Sequence, residues 1–195
     1  FFGSESTPVD ISNLSFLGTW YTVIAYSLYV YFDFSGYSDI AIGLGRMFGF
    51  HFDENFKYPF ICKTITEFWQ RWHMTLTRFL RKYIYFPLGG NRKGTVRTYF
   101  NVMIVFLVSG IWHGANWTFI LWGILHGIAS CLNRLWKNKY EKLNKVWQWF
   151  LTFSFVNFAW TIFRADTIKD AFHVIWRSIN FRDLTISSDL ANCFV

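Results

Sequence analysis

Histidine is the side chain best suited to moving a proton near neutral pH. This 195-residue sequence holds five: His51, His73, His113, His126 and His173. No HExxH or HxxxH pair exists among them and no carboxylate cluster accompanies them, so no protein-built metal site is expected. A GxSxG nucleophile elbow is also missing. Acidic residues are few and mostly lie outside the apolar runs, so a pair of catalytic carboxylates has no anchor. Cys62, Cys131 and Cys193 stand 69 and 62 residues apart, which offers no CxxC, and each reads as a small buried hydrophobe. The histidines are the remaining candidates, each to be weighed against a purely structural role.

His113 is placed best for it. It lies in SGIWHGANWTFILWGILHG (residues 109–127), in the middle of a run without one Lys, Arg, Asp or Glu. An ionisable group in such surroundings is costly and marks either function or a hydrogen bond to a neighbouring helix. Apolar surroundings hold the imidazole neutral and able to accept a proton, and Gly114 beside it lets a backbone or ligand approach closely. His73 lies on the flank of EFWQRWHMTLTRFLRK (67–82), either as an interface histidine or facing a cavity shared with His113. His126 reads as a packing or interface histidine, and His51 and His173 lie on polar ground. Asp33 and Asp39 flank Gly36 and Tyr37, where either could pair with a base such as Arg46.

The elements that must position these groups are hydrophobic. Apolar residues make up 53% of the chain, aromatics 23% and charged residues only 16%, well short of the roughly 25% charge of a soluble domain. The excess of Phe, Trp and Tyr suits a membrane core and its interfaces. Residues 14–34 carry one charge, Asp33, and as a helix would reach about 31 Å, close to a hydrocarbon core of about 30 Å. The glycine-interrupted residues 35–50 predict a short or broken helix, its glycines suited to close helix packing. They do not form GxGxxG. The uncharged run spans 98–133, and its 36 residues would reach about 54 Å as one helix. It must therefore break, and Gly110, Gly114 and Asn116 mark the place. Another span is expected over 146–163, followed by an amphipathic surface segment over 163–181.

Residues 57–97 hold nine Lys/Arg against one acid, and residues 134–145 five against one. Both stretches should lie on the cytoplasmic side, which suits a down-and-back hairpin between them. Ile61, Ile65, Phe68, Trp72, Leu76, Phe79 and Tyr83 recur at intervals of three and four, predicting an amphipathic helix at the membrane surface. That explains this basic, aromatic stretch better than nucleic-acid binding does. Without an initiator Met, a basic n-region or a cleavage site, the start does not read as a signal peptide, and the chain reads as a fragment.

FSGYSDIAIGLGRMFGF, ENFKYPF, ITEFWQRWH, YIYFPLGGNRKG, SGIWHGANWTFILWGILHG and WTIFRADT, in this order, resemble the membrane-bound O-acyltransferase family, in its bacterial alginate O-acetyltransferase-like branch. PLGGNR looks more like the polysaccharide-acetylating branch than the teichoic-acid D-alanylating one. Arg81–Lys82 departs from the Arg–Asp common in the branch. The resemblance implies an all-α polytopic membrane protein, here an interior-to-C-terminal fragment. Its short, broken and amphipathic helices would surround a central tunnel in a bacterial inner or plasma membrane.

By the same resemblance His113 is similar to the family's catalytic histidine, and His73 matches its second histidine, or Asn/His, position. Trp72, Trp112, Asn116, Asn91 and Arg92 are the candidate substrate contacts. No cofactor is held permanently. An acyl thioester, on coenzyme A or an acyl carrier, is the co-substrate, with its phosphates suited to the basic segment. His113 would take a proton from an acceptor hydroxyl while His73 orients the thioester or stabilises the oxyanion. Membrane lipids and either a polysaccharide or a secreted acetyl-relay protein are the implied partners. The rival readings are a membrane transporter and a lipid-binding or assembly module, which use broken helices and buried polar groups without making bonds.

Overall fold

A serine opens the first helix. In the computed structural model, which describes residues 15–180, the Ser15 hydroxyl accepts from the Gly18 N–H at 3.1 Å, satisfying one of the donors that a helix start leaves free. Helix α1 then runs unbroken over Phe16–Met47. It passes straight through the stretch expected to be short or broken. A glycine inside a helix costs about 1 kcal/mol against alanine, and that is too little to interrupt a helix whose first half is anchored on α7 and α8, at Ser27–Asn157 and Trp20–Ser178. Nor do these glycines receive a neighbouring helix within the described residues. A Cβ added at Gly43 or Gly49 would meet nothing within 4 Å, and at Gly45 its nearest neighbours would be the Phe52 ring and the Phe50 carbonyl of the following loop. Leu14 and Cys193 lie outside the described residues.

After an irregular stretch come a single 3-10 turn, Pro59–Ile61, helices α2 (Ile65–Arg71) and α3 (Met74–Leu80), and a π-helical turn, Arg81–Tyr85. The amphipathic helix expected here is thus broken, at Trp72 and His73. Trp72 is extended, and His73 takes the left-handed conformation with φ 45°. The apolar stripe is buried at Ile65, Phe68 and Trp72 and fails beyond the break, where Phe79 and Tyr83 are exposed.

The uncharged run is shared between α4 (Thr95–His113) and α5 (Trp117–Leu135), with residues 114–116 between them. The two helices run antiparallel at very close range. A Cβ at Gly110 would sit 2.5 Å from the Phe119 carbonyl oxygen, and one at Gly123 would sit 2.4 Å from that of Phe106. Only glycine lets two backbones meet in this way. The short α6 (Lys137–Tyr140) leads to α7 (Lys145–Arg164) and α8 (Ile168–Ile179). Thr167 caps α8 by accepting from the Asp170 N–H at 3.2 Å, and the Trp20 indole on α1 donates to the Ser178 carbonyl at 2.9 Å.

Among the described residues the regular structure is all helical, and one helix, α4, is long and apolar enough to cross a membrane. Where α2, α5 and α7 meet, Phe68, Trp72, Trp122, Val156, Ala159 and Trp160 are buried together. This aromatic wall meets His113 at Trp122 and continues through Trp72 to Phe56, which stacks on His73.

Candidate active site

His113 is the last residue of α4. Its Nδ1 lies 2.6 Å from the Ser109 carbonyl oxygen one turn earlier. A carbonyl can only accept, so Nδ1 carries the proton and donates, and the free lone pair of the neutral ring is on Nε2. Trp112, Trp122 and Phe163 stand edge-on around the imidazole at 5.0, 5.1 and 5.3 Å. The residue is half-buried, so part of its surface stays open.

His73 reaches the same state by a different route. It occupies the N-cap of α3, but its side chain does not cap the helix. Instead its Nδ1 lies 3.1 Å from the Asn55 side-chain oxygen. That oxygen also accepts from the Thr75 N–H at 3.2 Å and the Thr75 hydroxyl at 2.9 Å. Turning the amide over would set donor against donor at Thr75. Nδ1 of His73 therefore donates, and its Nε2 is also left with the lone pair. Phe34 stands edge-on to the ring at 4.7 Å and Phe56 stacks at 6.4 Å. Burial lowers this imidazole from its ordinary value to about 4, and the charge of His113 pushes the same way. The two histidines come from opposite ends of the 73–113 stretch, and a proton on His113 disfavours one on His73.

A chain of tryptophans leads away from His113, beginning at Trp122. Trp72 contacts Trp160 at 5.0 Å, and Trp160 stacks on Trp122 at 6.1 Å. The indole N–H groups of Trp122 and Trp160 are both buried with no hydrogen-bond partner, an expensive condition for a donor. Neither Asn55 nor these two N–H groups was singled out from sequence. Asn55 lies in an aperiodic loop and acts on residues far along the chain, while Trp122 and Trp160 are two tryptophans among 11.

The other candidates are distributed unevenly. Trp112 is exposed beside His113, whereas Trp72 is 3% exposed and belongs to the core. Asn116 uses both ends of its amide in the fold. Its oxygen caps α5 at the Thr118 N–H, and its nitrogen donates to the Asp166 carbonyl at 3.0 Å. Asn91 and Arg92 are exposed on a turn entered through Gly89 and Gly90, whose φ values of 103° and 57° favour glycine. Asn101 on α4 pins that turn by donating to the Leu88 and Gly90 carbonyls. His126 is fully buried, and its Nδ1 accepts from the Trp69 indole at 3.2 Å, so it is committed to packing. Neither Asp33 nor Asp39 pairs with Arg46 among the described residues.

A half-open cavity of about 290 Å³ adjoins this site, lined among others by Trp69, Arg81, Asn91, Phe106, Ser109 and Arg134. Neither histidine lines it, but Ser109 does, and the Ser109 carbonyl is the one that holds His113. The Ser109 hydroxyl is buried without a partner. Arg81 and Arg134 form no ion pair among the described residues.

The sequence model described as MBOAT, membrane-bound O-acyltransferase family, matches residues 7–169. The chain belongs to this family. It is 46% identical over 168 residues to the peptidoglycan O-acetyltransferase of Helicobacter pylori, covering 84% of this chain and 32% of that protein. It is 47% identical over 170 residues to the probable alginate O-acetylase of Pseudomonas putida, covering 86% and 35%. Identity to the teichoic acid D-alanyltransferase of Bacillus subtilis is lower, 32% over 173 residues, covering 78% and 42%. Within the membrane-bound O-acyltransferases the chain sits in the alginate and peptidoglycan O-acetyltransferase-like branch, and it spans about a third of the length of those relatives.

Proposed function

We propose that the protein transfers an acetyl group from a thioester to a hydroxyl of an exported polysaccharide, or of a protein that relays the group to one, at the bacterial cell membrane. The helices described here would form part of a polytopic bundle around a tunnel, with the basic segment on the cytoplasmic side. One observation carries the reading: the His113 Nδ1–H bond to the Ser109 carbonyl, which leaves the lone pair on Nε2 of a ring that is only half-buried. In the reaction, Nε2 takes the proton of the acceptor hydroxyl as its oxygen bonds to the thioester carbonyl carbon. The carbon–sulfur bond then breaks, and the departing thiolate receives that proton back from the imidazolium.

His73 is neutral with its Nδ1–H already committed, so it has a lone pair to offer and no proton for an oxyanion. Its part is to accept a hydrogen bond from the donor's arm or from the hydroxyl and so orient the reactants. The oxyanion requires N–H donors, and those standing unused in the wall are on Trp122 and Trp160. The unpaired Arg81 and Arg134, with Asn91, suit the phosphates of a coenzyme A or carrier-bound thioester at the adjoining cavity.

The test uses the full-length protein in membranes, with isotopically labelled acetyl thioester and candidate glycans. His113→Ala should lower transfer about 10²- to 10⁴-fold, the usual contribution of a general base, with protein level and membrane insertion unchanged. Transfer that survives this substitution overturns the proposal.

A further inference from the structure

Asn55 lies in the loop between α1 and α2 and is 9% exposed. Every polar atom that it directs at the break between α2 and α3 is used. Its backbone carbonyl accepts from the Met74 N–H at 2.9 Å. Its side-chain oxygen takes the His73 Nδ1–H and both donors of Thr75. The side-chain nitrogen faces the other way and donates to the Ser38 hydroxyl on α1 at 3.3 Å.

Two local problems are solved by this one amide. The first is a helix start without its own cap. In the left-handed conformation His73 cannot reach forward to the N–H groups of α3, and Asn55 supplies the missing acceptor from another segment. The second is the choice of imidazole tautomer. Because Thr75 fixes which end of the amide faces the ring, the amide fixes which ring nitrogen holds the proton.

We infer that Asn55 is a positioning residue: it holds His73 in the tautomer whose Nε2 is the free base, and ties that orientation to α1 through Ser38. The inference rests on the role proposed for His73. The groups packed on the ring are Phe34 from α1, Phe56 from the loop and the Asn55 amide itself. His113 is the titratable group whose charge reaches the ring, while Asp53 and Arg78 nearby are paired with each other.

The experiment compares Asn55→Ala and Asn55→Asp in the full-length membrane protein, with two readouts. The first is kcat, KM and the pH–rate profile per folded molecule. Asn55→Ala should lower kcat on the order of 100-fold, as displacement of a reacting group does. Asn55→Asp keeps the acceptor for all three donors and adds a negative charge that favours the imidazolium. It should retain more kcat than alanine and move the acidic limb of the profile to higher pH. The second readout is the nitrogen spectrum of 15N-histidine-labelled protein, with the His73 signals assigned by their loss in His73→Asn. Wild type should show a protonated Nδ1 at this residue, and Asn55→Ala a mixture of tautomers.

An acidic limb unmoved in Asn55→Asp, or a tautomer unchanged in Asn55→Ala, overturns the inference and reduces Asn55 to a loop anchor. The nitrogen spectrum needs no turnover. A failure of the acetyl-transfer reading, seen as activity surviving His113→Ala, is therefore distinguishable from a failure here.

Discussion

The two histidines end in the same chemical state, each with Nδ1–H on a carbonyl-type oxygen and Nε2 unbound, yet they are held by opposite means. His113 stands at the end of a long helix, and its partner is a backbone carbonyl of that same helix. No point substitution removes that carbonyl, and the helix is locked to α5 through glycines with almost no clearance. His73 stands in a break between two seven-residue helices, and its partner is a side chain from a separate loop. A residue that must be invariant in position is best tied to its own helix. One that adjusts to the reactants can be tied to a neighbour. The contrast suits the base proposed at His113 and the orienting role proposed at His73.

The comparison is most exposed at Trp122, which touches His113 and stacks on Trp160. If its unpartnered N–H serves the oxyanion, Trp122→Phe should lower kcat about 10²- to 10³-fold with KM little changed. Steady-state kinetics corrected for folded protein decides this, and an unaltered kcat would leave the oxyanion to other donors. Next in size is the rigidity of the His113 support. Gly123→Ala places a methyl against the Phe106 carbonyl and should cost about 1–3 kcal/mol, visible as a lower thermal midpoint in detergent.

The His73 side is sharpened by pH. Its imidazole is held at about 4 in the fold against roughly 6.5 unfolded, so the unfolded chain binds the extra proton between these values. Its contribution to stability is complete above about 6.5 and is lost as pH falls towards 4. Unfolding midpoints measured across that window should fall with pH less steeply in His73→Asn than in wild type. Gly43→Ala supplies the smallest effect. With open space around it in a helix, alanine should add about 0.4–1 kcal/mol, measured by the same thermal unfolding.

Much of this arrangement can be read from residue order. The uncharged run is too long for one helix, and its helices do part at residues 114–116. The ordered motifs identify the family. What stays hidden has physical causes. The three-and-four spacing of apolar residues runs on through Trp72 to Tyr83 although the helix does not, and neither Gly nor Pro marks the kink. Glycines in α1 look like interruptions because their local cost is visible in sequence, yet about 1 kcal/mol each does not stop a helix whose earlier turns are anchored on α7 and α8. Asn55 meets Ser38, 17 positions back, and Thr75, 20 ahead. A polar residue in an aperiodic loop gives no sign of partners that distant.

The torsion angle at His73 restricts sequence change before any chemistry is considered. Most L-residues lose about 1–2 kcal/mol in left-handed backbone, while asparagine, aspartate and histidine are enriched there. Variation at this site is therefore channelled into a few short polar side chains, all able to hydrogen-bond. A mutational library built here would return those types first, even under selection for folding alone.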